Sequence, residues 1–348
     1  MKNKFLTFAI VFTFLIISNC QEPYIFLNPI SPINELDTLV IIGQDTIAVP
    51  NIIVAEESLD DPEQTGVDCS NLSGRNFMVD LIDIEILDSL PQILDVSNNM
   101  PPVRSQGNQG SCVSWATTYY LKSYQEKIQY DYEYLSYENV MSPAFVYNQT
   151  KANESCLSGS AIESALEVLK TTGVSTWRSF PYSDKYCSEI PSDSLLLANA
   201  ATNKIKDYFR VGVSDTITAP NHTLVNLIKT LISQKTPTVI SMDFVNLIFE
   251  NQIFTVEDST DLTNPISEEE IFIANRYSDD PMEDVCGHAI LIVGYNDAYN
   301  AFKIVNSWGT SWGNGGYAWV HYNFFLPETE ANFEEGLTGA YAAFDEES

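Results

Sequence analysis

Apolar side chains recur at helical spacing in three stretches of the chain. In residues 114–127 the large apolar side chains Trp115, Tyr119, Leu121 and Tyr124 recur at roughly helical spacing, which predicts a helix. Residues 161–171 predict a second helix, which ends at Thr172 and Gly173. Residues 224–233 predict a third. Three helices are therefore expected in the part of the chain that precedes residue 234.

Short continuous apolar runs predict strands, most of them later in the chain. Residues 238–242, 289–293 and 301–305 are such runs, and a turn is expected between the last two at Asn296 and Asp297. Near the start, residues 39–49 predict two short strands around a turn at residues 43–45. Because the helices come first and the main strands follow, the pattern predicts an α+β fold.

The first twenty residues have the pattern of an export signal. Lys2 and Lys4 precede a 13-residue apolar run, residues 5–17, which is too short to span a bilayer. Cys20 follows this run as in a bacterial lipoprotein signal, which implies that it carries lipid. The alternative is ordinary secretion with Cys20 removed. Either reading predicts an exported protein, whether extracellular, periplasmic or an outer-membrane lipoprotein.

The remaining chain divides into two parts by texture. Residues 21–89 include an acidic stretch that is poor in large apolar residues, and they predict a leader or linker. Residues 90–348 have the composition of a folded domain, and the chain is 45% hydrophobic overall. We therefore expect a signal peptide over residues 1–20, a leader over 21–89 and one large domain over 90–348.

The charge of the chain excludes some partners. Lys and Arg number 17 against 47 Asp and Glu, which gives a net charge of −30. Binding to nucleic acid requires clustered cations, so neither nucleic acid nor an anionic membrane surface is an expected partner. Contact with a membrane is expected only through a lipid anchor on Cys20.

Ten acidic residues lie in residues 254–284, which predict a solvated acidic loop. This stretch lacks the residue order of a calcium-binding loop, and the three histidines of the chain match no zinc spacing. No metal and no cofactor is expected.

Cys112 and His288 are the residues with the clearest chemical pattern. Cys112 follows a turn-rich Gly-Asn-Gln-Gly-Ser run and begins the first predicted helix. The positive end of a helix dipole favours a thiolate, which is the nucleophilic form of cysteine. His288 precedes an apolar strand that would hold its imidazole rigidly near a partner. The other two histidines, His222 and His321, have no such setting.

Two amides complete this pattern. Asn306 follows the next predicted strand, and its side-chain oxygen would orient the imidazole of His288. Gln106 precedes Cys112 in the same loop, and its amide would donate to an oxyanion beside the backbone N–H of Cys112. These residue types together predict nucleophilic catalysis by a thiol.

The segments around these residues resemble the papain family of cysteine peptidases. Residues 106–112 carry the Gln-Gly-x-x-Gly-Ser-Cys pattern, residues 287–289 carry x-His-Ala, and residues 306–309 read Asn-Ser-Trp-Gly. The resemblance extends over residues 90–345 and is that of a divergent, bacterial-type member. It implies a role for each matching residue: Cys112 as nucleophile, His288 as its partner, Asn306 as orienter, Gln106 as oxyanion donor, Trp308 as the aromatic cover of the His–Asn pair and border of the leaving-group side, and Gly159 as a substrate-binding residue.

The resemblance also implies the architecture of the domain. A two-lobed fold is expected, with a helical half that carries the nucleophile helix and a β-rich half that carries the histidine and the asparagine. It implies a disulfide between Cys156 and Cys187, while the pairing of Cys69 and Cys286 is left open. Gln109 departs from the family because it stands where a cysteine normally anchors the nucleophile loop. Val113 departs as well, since an aromatic residue usually follows the nucleophile.

The expected function is hydrolysis of peptide bonds in peptides or proteins by a monomeric thiol peptidase, through a thioester. Two alternatives remain: a papain-fold binding protein that has lost activity, and an acyl transferase of the transglutaminase type. The acidic composition suggests a preference for basic substrates, which a peptide-library profile would test.

Overall fold

The computed structural model describes residues 41–42, 45–46, 80, 82–87, 89–134, 136–212, 223–257, 266–278, 287–325 and 337–345. They belong to two compact units, within residues 1–52 and 53–348. In the first unit, strands β1 (Ile41–Ile42) and β2 (Asp45–Thr46) pair antiparallel, which agrees with the hairpin predicted there. The predictions for the signal peptide and Cys20, and those for Cys69, His222 and Cys286, lie outside the described residues.

All three predicted helices are present in the second unit, with one longer than expected. The helices are α1 (Cys112–Ser114), a π-helix (Trp115–Lys122), α2 (Ser123–Tyr130), α3 (Pro143–Thr150), α4 (Ile162–Thr171), α5 (Ser194–Ala200) and α6 (Thr223–Ser233), with 3-10 turns at Ser97–Asn99, Ser136–Glu138 and Tyr322–Phe325. The first three segments follow one another without a break and are called the central helix below. None of the helices in the described part of the chain has the length and apolarity that crossing a membrane requires.

One sheet contains the strands of the second unit. They are β3 (Ile93–Asp95), β4 (Ile205–Arg210), β5 (Thr238–Met242), β6 (Leu247–Glu257), β7 (Ile266–Tyr277), β8 (His288–Asn296), β9 (Ala301–Val305), β10 (Tyr317–His321) and β11 (Leu337–Asp345). Their order across the sheet is β4-β11-β5-β8-β9-β10-β7-β6, and β3 pairs with the end of β8. The pair β10–β7 is parallel, whereas the other pairs are antiparallel.

Strand β8 is buried along its whole length because the sheet is covered on both faces. Ala289, Leu291 and Val293 belong to the core around the central helix. Ile290 and Ile292 point to the other face and join the core that includes α6. A strand buried on both faces reads as a continuous apolar run rather than an alternating one, which is the pattern seen in the sequence. The result is the predicted α+β, two-lobed fold, with helices in one half and the sheet in the other.

The central helix is buried on every side. Residues 111–126 are all buried, which explains why its apolar residues show no single amphipathic stripe. Its one buried cation, Lys122, lies 2.7 Å from a carboxylate oxygen of Glu126 and 2.6 Å from one of Asp345 in β11. Pairing of this kind is what allows a charge to remain in a core, and it ties the helix to the last strand.

The prediction that residues 254–284 form a solvated loop is wrong for the part that the structure describes. Residues 254–257 complete β6, and residues 266–277 form β7, which pairs antiparallel with β6 along its length. Ile271 and Ile273 are buried, and they pack with Tyr299 and Trp319. This apolar face attaches the hairpin to the sheet even though the neighbouring glutamates are exposed.

Part of the predicted leader lies against the edge of the sheet. The N–H of Ile82 donates to the carbonyl of Arg210 at 2.9 Å, and the N–H of Arg210 donates to the carbonyl of Asp80 at 3.0 Å. Ile82, Ile84 and Ile86 are half-buried against the core that includes α6. Asp80 and Ile82 are therefore hydrogen bonded to the end of β4.

Candidate active site

Cys112 is the first residue of the central helix, and it is buried. Its thiol takes no part in a disulfide. Ser111 stands at the N-cap position but makes no capping bond with its side chain. Its hydroxyl lies 2.7 Å from the phenol oxygen of Tyr182 instead. The start of the helix, where the dipole favours an anion, is thus the location of the sulfur.

Tyr182 connects the two ends of the loop that precedes Cys112. Its buried hydroxyl donates to the carbonyl of Gln106 at 2.7 Å. A phenol has one proton to donate, so the hydroxyl of Ser111 is the donor in its bond to Tyr182. One side chain therefore holds residues 106 and 111 at fixed positions relative to each other.

A second set of contacts holds the middle of the same loop. The side-chain amide of Gln109 donates to the carbonyl of Ser183 at 3.0 Å, and the N–H of Gly110 donates to the carbonyl of Cys156 at 2.8 Å. Cys156 and Cys187 form the disulfide that the resemblance implies, with 5.6 Å between their Cα atoms. A hydrogen bond from Gln109 thus takes the place of the covalent anchor that is usual at this position.

Gly110 allows the segment around Gly159 to approach the loop before Cys112 (residues 106–111, the nucleophile loop) closely. A Cβ atom on Gly110 would lie 2.6 Å from the carbonyl oxygens of both Leu157 and Ser158, so no larger residue fits. Gly159 is buried, and its carbonyl accepts from the N–H of Ala152 at 2.9 Å. The predicted substrate-binding glycine thus lies in a segment that packs directly on the nucleophile loop.

His288 and Asn306 are hydrogen bonded, as their predicted roles require. The Nε2 of His288 lies 2.8 Å from the Oδ1 of Asn306. The backbone N–H of Ser307 donates to the same oxygen at 2.7 Å, which identifies that atom as the amide oxygen. The imidazole proton is therefore on Nε2. Tyr120 in the central helix donates to the backbone carbonyl of Asn306 at 2.9 Å and fixes it from the other lobe.

The imidazole of His288 is fully buried among aromatic rings. Its centroid is 4.6 Å from that of Trp308 and 5.2 Å from that of Phe244. Burial lowers the pKa of His288 to about 4, and the hydrogen bond that its Nε2 donates to Asn306 opposes this effect. The surroundings thus favour the neutral ring when no anion is paired with it.

Gln106 joins the two lobes at the site. Its backbone N–H donates to the carbonyl of Ser307 at 2.7 Å, and its Oε1 accepts from the hydroxyl of Ser307 at 2.5 Å. Its Nε2 donates to the carbonyl of Gln109 at 2.7 Å. Ser105 and Trp308 form a β-bridge beside these bonds. The loop before Cys112 is therefore attached to the segment that contains Asn306.

The structure brings the predicted residues to one junction. Helix α1 packs against β8, which begins with His288, and the loop before α1 is bonded to the segment after Asn306. His321 lies apart on β10, where its Nδ1 accepts from the backbone N–H of Asn323. In the described ranges, no three His, Cys, Asp or Glu side chains are grouped as the ligands of a metal would be.

Sequence reasoning missed three residues that shape the site. Ser307 lies inside the Asn-Ser-Trp-Gly motif and therefore had a signal, whereas Tyr182 lies in none of the three motifs and had none. Phe244 follows a predicted strand and had none, because its contact with His288 depends on how β5 pairs with β8.

Comparison with known proteins finds similarity to one family. The family described as papain family cysteine protease matches residues 90–331. Cysteine proteinase 1 from Dictyostelium discoideum is 24% identical over 266 residues, which cover 70% of this chain and 64% of that protein. Zingipain-2 from Zingiber officinale is 25% identical over 250 residues, which cover 69% of this chain and 92% of that protein.

A solved structure shares the fold. Xylellain, a cysteine protease from Xylella fastidiosa, aligns with a TM-score of 0.56 and 22% identity, over 83% of this chain and 99% of that one. At 22% identity the alignment supports a shared fold, whereas membership of the family is supported by the match over residues 90–331.

Proposed function

Because this chain belongs to the papain family of cysteine proteases, we propose that it hydrolyses peptide bonds with Cys112 as the nucleophile. The observation that carries the proposal is the 2.8 Å bond between His288 and Asn306, in a buried site next to the helix that Cys112 begins. A thiol requires an imidazole to accept its proton and leave the thiolate, and the imidazole requires a fixed tautomer. These residues supply both.

His288 moves the proton through its Nδ1 atom. Since Nε2 donates to Asn306, Nδ1 has the lone pair and accepts the proton of the Cys112 thiol. Within the described residues no protein group bonds to this nitrogen, although it is buried. The imidazolium and the thiolate stabilise each other, which overcomes the burial that otherwise keeps the ring neutral.

The first half of the reaction forms a thioester. The sulfur of Cys112 attacks the carbonyl carbon of the substrate, and the carbonyl oxygen becomes an oxyanion. The backbone N–H of Cys112 stabilises that charge together with an N–H of Gln106. Gln106 has two such hydrogens on Nε2, of which one is donated to Gln109 and one is left for the oxyanion. The C–N bond then breaks as His288 gives its proton to the leaving amine.

The second half regenerates the enzyme. Water loses a proton to Nδ1 of the now neutral His288, and the hydroxide attacks the thioester carbon. The C–S bond breaks and the acid product leaves. The imidazolium of His288 then forms an ion pair with the restored thiolate of Cys112. Trp308 shields the His–Asn pair from water, and Gly159 binds the substrate backbone on the side that becomes the acid product.

Substrates are peptides or proteins, and the enzyme acts as a monomer outside the cytosol. The pattern of residues 1–20 supports export, and the position of Cys20 supports a lipid anchor. Loss of detergent-phase partitioning in a Cys20→Ala variant would be the expected sign of that anchor; unchanged partitioning would contradict it.

The test of the proposal is hydrolysis of a fluorogenic peptide by the wild type and by Cys112→Ala, each with and without a thiol reductant. The wild type should cleave the peptide best under reducing conditions, and the variant should lose at least 10³-fold in rate. A wild type that binds peptides without cleaving them would support the inactive binding protein instead.

A further inference from the structure

A continuous set of aromatic rings leads from His288 onto the β6–β7 hairpin. Trp308 lies 4.6 Å from the imidazole, and Trp312 lies 5.7 Å from Trp308. Trp312 in turn is 5.5 Å from Phe249 in β6 and 5.8 Å from Phe272 in β7, between ring centroids. These four side chains are half-buried and are called the aromatic strip. The aromatic strip therefore connects His288 to the β6–β7 hairpin.

One face of the hairpin continues the aromatic strip outward. Asn251 is paired with Phe272, and Ile253 is paired with Glu270. Paired residues of antiparallel strands point to the same face, and so do residues two apart in one strand. Phe272, Ile253, Glu270 and Glu268 thus share a face, called the Phe272 face below.

The opposite face of the hairpin is used to pack on the sheet. Ile271 is buried there, and Phe254 contacts Tyr299 at 5.0 Å between centroids. The hydroxyl of Tyr299 also bonds to Glu269. By contrast, Ile253 on the Phe272 face is 68% exposed, and Glu268 and Glu270 are exposed as well. The face that continues from the catalytic site is therefore the open one.

We propose that the Phe272 face binds the part of the substrate that follows the scissile bond, an inference that rests on the proposed function. The leaving amine takes its proton from His288, so the peptide attached to that amine must pass the imidazole and Trp308. Beyond Trp308 the next surface is the aromatic strip. The strip selects an aromatic or large aliphatic side chain close to the scissile bond.

Carboxylates further along the Phe272 face select a basic side chain of the substrate. Glu270 lies two residues from Phe272, or about 7 Å along the strand, and Glu268 lies as far again. No cation in the described part of the chain forms an ion pair with either carboxylate. Lys or Arg two to four positions beyond the apolar residue fits these distances. The basic preference suggested by the composition is thereby assigned to one side of the cleft and to two residues.

Two kinds of substrate separate this inference from the proposed function. The first has a peptide acyl part and a small aromatic amine as leaving group, and it reports only the chemistry. The second is a set of internally quenched peptides with the same acyl part, in which Phe or Ser follows the scissile bond and Lys, Gln or Glu stands three positions further. We expect kcat/KM to be about tenfold higher for Phe with Lys than for Ser with Glu.

Matched charge reversals on the two faces of the hairpin identify the residues. Glu270→Lys lies on the Phe272 face, whereas Glu250→Lys is an equal change at an exposed residue paired with Ile273 on the opposite face. Both variants should hydrolyse the small substrate at the wild-type rate. Glu270→Lys should lose the preference for Lys over Glu, or invert it, and Glu250→Lys should retain it.

The outcomes are distinguishable. If the wild type fails to cleave the small substrate, the proposed function is wrong and the inference falls with it. If it cleaves that substrate but the two charge reversals behave alike, the peptidase proposal stands and the Phe272 face is not the binding surface. A preference lost only in Glu270→Lys, and weakened by added salt, supports the inference.

Discussion

The two lobes hold their reactive groups by different means. On the helical side, the loop before Cys112 is held by hydrogen bonds from Tyr182 and Gln109 and by one to the carbonyl of Cys156. On the sheet side, His288 has one side-chain hydrogen bond, to Asn306, and is otherwise surrounded by rings. Directed hydrogen bonds thus hold the loop before Cys112, the proposed nucleophile, whereas packing against rings holds the imidazole of His288.

This difference follows from what each group requires. The nucleophile loop is an irregular segment whose buried polar groups must be paired, so a polar network both satisfies and orients them. The imidazole must exchange a proton at one nitrogen and be kept from water at the other, which rings accomplish without competing for hydrogen bonds. The two lobes should therefore respond differently to pH and to the removal of a single hydroxyl.

The largest effect on stability is expected from burial of the imidazole. Its pKa is about 4 in the folded protein against an ordinary value of 6.5, so between these values the unfolded state binds more protons. Stability from this group is present above pH 6.5 and is lost as the pH falls toward 4, by up to about 3 kcal/mol. Urea unfolding of Cys112→Ala at several pH values measures it, and this background removes both autolysis and the thiolate.

The control for this prediction is the double variant Cys112→Ala with His288→Gln. The difference between the two unfolding free energies should change with pH between 6.5 and 4, because carboxylates titrate in both proteins and cancel. Parallel curves for the two proteins would mean that the ring is hydrated or already charged, and the contrast between the lobes would fail.

A smaller effect on stability, but a clear one on rate, is expected from Tyr182→Phe. The ring remains to pack at 5.1 Å from Trp115, while the bonds to Ser111 and Gln106 are lost. Stability should fall by about 1–2 kcal/mol. Because the loop is freed at both ends, kcat should fall about tenfold with little change in KM.

Tyr132→Phe is the matched control for this variant. Its hydroxyl donates to the carbonyl of Asn139, far from the nucleophile loop in sequence and outside its network. It should lose a similar or smaller amount of stability and keep the wild-type kcat. Equal kcat values for the two variants would show that Tyr182 has a structural role alone.

The parts of the fold that could be predicted from sequence are those fixed by local burial. Strand β8 is apolar at successive positions because both faces are covered, and α4 begins and ends within one residue of its prediction. The motifs of the candidate site could be recognised in the sequence for a similar reason. Each reactive residue lies at the end of a regular element, next to the short segment that positions it.

The parts that could not be predicted depend on distant contacts. Three consecutive glutamates, Glu268 to Glu270, hide the alternation of β7, which is a strand because Ile273 pairs in register with Trp319 of β10. The bond between Ser111 and Tyr182 joins residues 71 positions apart. Nothing in either local sequence distinguishes these partners from others of the same type.

The proposed mechanism requires Cys112 and His288 to act together. The most direct measurement of this is the rate of hydrolysis of one fluorogenic peptide under reducing conditions by the wild type and three variants. Cys112→Ala and His288→Ala should each lose at least 10³-fold in kcat/KM, whereas Asn306→Ala should remain a measurable, slower enzyme. Undiminished hydrolysis by Cys112→Ala, or equal activity of His288→Ala and the wild type, would contradict the account.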